Sequence, residues 1–185
     1  AKVRKTKLTA YVDHVKNEPL IAKLPKAGKI EKESEDNKLG FKELTLSNGA
    51  HVYLKKTDFK DNEIQFYAKA KGGQYAFPKS HYLDISMASE LLNASGLGNF
   101  SNTELSKALA GKEANANFFV GTYNHGLSGS STPKDLETLM QLVYLEMTDV
   151  AKDEKSVNNF KDALATQLQN QSKNPQSVFS DSLSS

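Results

Sequence analysis

Between Ser80 and Leu92 the apolar residues fall in two rows. Leu83, Met87 and Leu91 recur at i, i+4, and Ile85, Ala88 and Leu92 make a second row. Two rows predict a helix covered on more than one side, and Glu90 is the one acid in its buried part. Gly96-Leu97-Gly98 breaks the pattern. Ser101-Asn102-Thr103-Glu104 is a capping box that opens a second helix, running to about Ala110 with Gly111 as a stop.

The chain before this pair of helices divides near residue 40. Residues 1–40 read as a connector. Tyr11 to Val15 suits a short strand, Glu18-Pro19 and Leu24-Pro25 favour extended chain, and Glu31 to Asp36 is a charged run expected to be solvated. A single domain is expected over residues 41–185. Leu44 to Leu46 and His51 to Leu54 flank Asn48-Gly49, a hairpin with a type I′ turn. Glu63 to Ala70 alternates and ends at Gly72-Gly73, as a third strand does.

After the helices, Glu113 to Val120 and Tyr123 to Ser130 read as strands joined at Gly121-Thr122. Thr132-Pro133 caps a helix whose buried face carries Leu136, Leu139, Met140, Val143 and Met147. A last helix starts near Asp153, places Val157, Phe160, Leu164 and Leu168 on one stripe, and ends at Pro175. The serine-rich tail to Ser185 is expected to fray. This order predicts an α+β fold: a mostly antiparallel sheet with helices packed on one face.

Composition narrows the function more than the fold. The chain has no cysteine, which excludes disulfides, thiolate metal sites and a cysteine nucleophile. Residues 1–40 hold ten Lys/Arg against six Asp/Glu, so the net charge of +2 belongs to the lead segment. A nucleic-acid binder carries its basic stripe on the folded face, so no nucleic-acid partner is expected. No apolar run approaches the ~18 residues of a membrane span.

Candidate chemistry is sparse. His14, His51, His81 and His125 include no pair at i, i+4, whereas a zinc site needs three or more converging ligands. Gly126-Leu127-Ser128-Gly129 lacks the nucleophile elbow of a serine hydrolase and lies in an expected strand. Gly72-Gly73 and Gly96-Leu97-Gly98 carry neither a phosphate-loop lysine nor a dinucleotide fingerprint. Asp153-Glu154 suits a solvated helix start. Glu90 has two readings: a general base, or a helix-edge acid bonded to backbone or water.

These segments, taken together from Glu43 to about Pro175, resemble the pitrilysin/insulin-degrading family of zinc metallopeptidases, the inverzincins. The resemblance runs through Leu46-Ser47-Asn48-Gly49, Gly72-Gly73 and Asn99-Phe100-Ser101-Asn102-Thr103-Glu104-Leu105. It is sharpest from Gly126 to Thr138 and over Gln141-Leu142-Val143-Tyr144. That last block looks like the second half of bacterial periplasmic-type members.

The family's catalytic helix carries H-x-x-E-H, two zinc-binding histidines around a general-base glutamate. Aligned through Asn99 to Leu105, that motif falls on Met87-Ala88-Ser89-Glu90-Leu91. Met87 and Leu91 stand in the histidine positions and only Glu90 matches. The family's third ligand, a glutamate, would fall near Ala165 to Leu168, and no Asp or Glu occurs between Ala163 and Ser180. The resemblance therefore implies a degenerate site with no catalytic residue, no metal ligand and no cofactor in this chain, the zinc belonging to the catalytic half of the parent protein.

It further implies the third of four domains, with the connector before it, walling a chamber and helping to bind peptide opposite that catalytic half. The expected partners are the catalytic half, in the same chain or a paired subunit, and the peptide substrate. The parent is expected in the periplasm or secreted. The alternative is a structural or interaction subunit of a peptidase-like complex, as some relatives of this fold are, and a weaker one is an enzyme using Glu90. The family domain continues past the long helix to a closing helix and strand, so the chain reads as truncated at the C-terminus, with an open sheet edge through which it would self-associate.

Overall fold

A computed structural model describes residues 16–151 and 154–184. Tyr11 to Val15, His14 among them, and Asp153 lie outside the described residues.

The described residues form β1 (Ile30–Asp36), β2 (Phe41–Leu46), β3 (His51–Leu54), β4 (Ile64–Lys71), α1 (Tyr82–Ala94), α2 (Asn102–Ala108), β5 (Ala114–Val120), β6 (Asn124–Ser131), α3 (Leu136–Thr148), α4 (Glu154–Lys173) and α5 (Pro175–Ser184). Among them the strands make two three-stranded antiparallel sheets, ordered β1-β2-β3 and β4-β6-β5. The α+β, antiparallel expectation holds, with the strands shared between two sheets.

In the second sheet, period-two alternation sorts the faces. Ile64, Phe66 and Ala68 of β4 are half-buried while Gln65, Tyr67 and Lys69 are exposed. Register places Phe66 beside Gly129 and Ala116 beside the same Gly129, so one face turns toward the helices. The opposite face carries a Tyr67–Phe119 ring stack with centroids 5.3 Å apart.

α3 covers the inner face. Thr132 caps its leading turn by accepting from the Asp135 N–H, and Pro133 fills the first turn, as the sequence predicts. Leu139, Leu142 and Leu145 are buried along one stripe, whereas Leu136, Met140 and Met147, expected on the buried face, are exposed: the face is turned so that the 139-142-145 row meets the sheet. Leu97, Leu142 and Leu145 form the core cluster, joined by Leu105, Leu109, Ala114, Ala116 and Val150. The α2 capping box also forms: Ser101 Oγ accepts from the Glu104 N–H, and Glu104 Oε2 accepts from the Ser101 N–H at 2.9 Å.

Four further local expectations change. The hairpin turn is not type I′, which needs positive φ at two residues. Only Gly49 is left-handed there (φ 83), and a three-residue loop is closed by Gly49 N–H to Leu46 C=O and Leu46 N–H to Ala50 C=O. The charged run is solvated, as expected, yet it is strand β1, paired with β2 from Lys32–Thr45 to Asp36–Phe41. The tail after Pro175 is helical, because a proline that ends one helix is well suited to the first turn of the next.

The fourth change concerns α1. None of its residues is buried. Met87, Leu91 and Leu92 are half-buried, and Tyr82 and Leu83 are 61% and 69% exposed. The double apolar row is present, but β5 is the main element lying against it, with α4 and the short turns at Gln74–Ala76 and Lys79–His81 adding lesser contacts. Glu90 is accordingly exposed, not in a buried part of the helix.

Candidate functional site

The candidate site is α1 and the strand edge beside it. Met87, Glu90 and Leu91 sit within two turns of one helix. Met87 and Leu91, four residues apart, share a face. A thioether is a weak, soft donor and an isobutyl group is none, so this pair does not fit zinc. Among the described residues no group of three or more His, Cys, Asp or Glu side chains converges as a metal site.

The described histidines are dispersed. His51 Nδ1 lies 2.9 Å from Glu43 Oε1, which also accepts from the Tyr53 hydroxyl at 3.2 Å. The His51 contact, then the Tyr53 hydroxyl, holds the Glu43 carboxyl below its ordinary value. This trio lies on the exposed hairpin of the first sheet. His81 Nδ1 faces Asp84 Oδ2 at 3.4 Å at the start of α1. His125, near the β4–β6 end, stands against Gly72. Ser128, of the Gly126–Gly129 run, is in β6 as expected, on the face away from the helices.

Another face of α1 is polar and occupied. Ser89 and Asn93, four residues apart, meet the outer edge of β5. Asn93 Nδ2 donates to the Phe118 C=O at 2.9 Å, and Asn93 Oδ1 accepts from the Phe118 N–H at 2.8 Å. Ser89 Oγ accepts from the Val120 N–H at 2.8 Å. β5 is an edge strand, and these groups would otherwise be open to another strand. Sequence reasoning missed both residues. The available signal was two polar positions at i, i+4 between the apolar rows.

Two carboxyls outside α1 complete the electrostatics. Asp135 accepts from the Glu113 N–H at 3.0 Å, which together with the Thr132 hydroxyl holds its carboxyl below the ordinary range. Glu146 on α3 is the opposite case. Its Oε2 is buried with no hydrogen-bond partner, and burial pushes its carboxyl up to about 7. A cleft of about 340 Å³ lies between the start of β4 and the β5–β6 end, with Lys60, Asn62, Lys112 and Ser130 on its walls. Its lysines are engaged: Lys60 pairs with Glu63 and Lys112 donates to Thr138.

No protein-family profile matches the chain. It is 29% identical over 163 residues to a zinc protease PQQL-like protein of Arabidopsis thaliana, spanning 88% of this chain and 14% of that protein. It is 30% identical over 105 residues to the probable zinc protease PqqL of Escherichia coli strain K12, spanning 57% of this chain and 11% of that protein. The chain thus covers a small part of each relative's length. The crystal structure of the periplasmic protease PqqL from Escherichia coli matches 97% of the chain and 20% of its own, with a TM-score of 0.76 and 24% identity. The ferredoxin protease FusC, solved in complex with Arabidopsis ferredoxin, matches 98% of the chain with a TM-score of 0.75 and 18% identity. Both structures share the fold.

Proposed function

Since the chain belongs, as a partial domain, to the pitrilysin family of zinc metallopeptidases, we propose that it is a non-catalytic member of the set of domains from which such an enzyme is built. It walls the chamber and helps to hold a peptide substrate, while a catalytic half outside this chain supplies the zinc and cuts. The observation that carries this reading is the pair Met87 and Leu91 at the i, i+4 positions of α1. Those are the positions where the family's H-x-x-E-H helix places its metal-binding histidines. Without them Glu90 has no metal-bound water to activate, and its exposed place on the helix gives it no enclosed site of its own.

The parent protein is read as periplasmic or secreted, in keeping with the periplasmic relative. No described helix is long and apolar enough to cross a membrane. A second reading, a structural or interaction subunit of a peptidase-like assembly, draws on the apolar side chains left uncovered. Tyr82 and Leu83 on α1 and Met147 on α3 are each more than 60% exposed, as a domain meant to be covered by a partner would leave them.

The experiment is metal analysis and peptide hydrolysis on the purified chain. Less than one zinc in ten chains and no cleavage of unfolded peptides are expected. Stoichiometric zinc, or cleavage abolished by Glu90→Gln, would overturn the reading.

A further inference from the structure

Lys16, Leu20 and Ile21 make contacts that the expected connector gives no reason to foresee. Lys16 Nζ donates to the Asn99 C=O and stands 5.0 Å from the centroid of the Phe100 ring. That ring is 1% exposed, and the ammonium stands against it as a cation–π partner. Glu18 lies 3.8 Å from the same ammonium. The Glu104 carboxyl is held below its ordinary value first by the Ser101 N–H and hydroxyl, with the Lys16 charge adding to them. Leu20 and Ile21 are half-buried against the Leu97, Leu142 and Leu145 cluster. Asn17, Glu18 and Pro19 between them are exposed, and so are residues 22–29 beyond. Three side chains fasten the segment, and the exposed chain beyond them is next tied down at Lys29, whose C=O accepts from the Ser47 N–H.

What they fasten is the turn that ends α1. Gly98 N–H donates to the Asp149 C=O and Ala151 N–H to the Gly96 C=O, tying the turn to the end of α3. A side chain at Gly96 would run into the Phe100 carbonyl, so the turn tolerates no bulkier residue there. The backbone is closely folded, and Leu20 and Ile21 are among the residues packed on the cluster to which Leu97 of this turn belongs.

We propose that residues 16–21 are a latch: a strap clipped over the Gly96–Phe100 turn whose release loosens the C-terminal end of α1. Closed, it holds the turn against α3. Open, it frees the turn while leaving the β4-β6-β5 sheet intact. The inference does not depend on the reading of α1 as non-catalytic, and zinc or peptide results leave it untouched.

Hydrogen exchange on the full 185-residue chain tests it. In Lys16→Gln the amides of Gly98, Phe100 and Ala151 should exchange about tenfold faster than in the parent, while Phe118 and Leu127 in β5 and β6 keep their rates. Lys16→Arg, which retains a cation over the ring, should stay within about twofold of the parent. Leu20→Ser provides a second release from the apolar end. Unchanged turn amides in both Lys16→Gln and Leu20→Ser would overturn the proposal. So would equal acceleration across both strands, which would make the segment ordinary core.

Discussion

The side-chain amide of Asn93 pairs with the peptide group of Phe118 in both directions, at 2.9 and 2.8 Å. It thereby imitates the neighbour strand that the edge of β5 lacks. Removing it leaves one donor and one acceptor to solvent. Asn93→Ala should cost about 1 kcal/mol, because the groups are exposed enough for water to replace the lost bonds in part. Asn93→Asp keeps the acceptor for the Phe118 N–H and loses the donor, so it should fall between. Denaturant midpoints with an unchanged m-value give the measurement, and faster exchange confined to Phe118 and Val120 localises it.

Glu146 gives the chain a pH dependence of stability with a definite sign. Burial raises its folded-state carboxyl to about 7, above the ordinary 4.5. Between those values the unfolded chain loses the proton and the folded chain keeps it. Stability therefore falls as pH rises from about 4.5 to about 7 and is level above that. Glu146→Gln should remove this slope and stabilise the chain at pH 8 by on the order of 1 kcal/mol, after discounting for solvent screening. Melting curves of both proteins at pH 5 and pH 8 decide it: parallel slopes would mean that the carboxyl titrates normally.

Restoring imidazoles tests the geometry of α1 directly. Met87→His with Leu91→His puts two nitrogen donors one turn apart on a half-buried face. The double variant should gain about 1.4 kcal/mol of thermal stability when nickel or zinc is present at ten times its dissociation constant. Each single variant should gain nothing measurable. A double variant indifferent to metal would show that residues 87 and 91 do not share a face.

Much of the fold from Phe41 onward is legible because it rests on local chemistry. Ser101 with Glu104, Thr132 with Pro133, and the alternation Ile64, Phe66, Ala68 each specify an element without help from afar. β1 escaped notice because Ile30-Glu31-Lys32-Glu33-Ser34-Glu35-Asp36 is exposed on both faces, and a strand with no buried face has no period of two to show. α5 escaped because Pro175 signals a stop as readily as a start.

At the candidate site, the sequence shows which side chains α1 carries but not what lies against them. Two apolar rows state how much a helix is able to bury, whereas Leu83 at 69% exposure records what is there to bury it. The hold of Ser89 and Asn93 on β5 is a contact across more than twenty residues, with no local trace beyond their spacing. The same is true of Lys16 and Phe100.

Among the described residues no ladder hydrogen bond joins β1-β2-β3 to β4-β6-β5. The buried leucines, moreover, all belong to the part that follows residue 96. Melting of the hairpin region then need not wait for melting of the core. The unfolding free energies predicted above for Asn93, Glu146 and the Met87/Leu91 variant therefore refer to the part built on β4-β6-β5, read by probes placed there. Each substitution must be weighed within the sheet that feels it, and a probe placed in one half is blind to damage in the other.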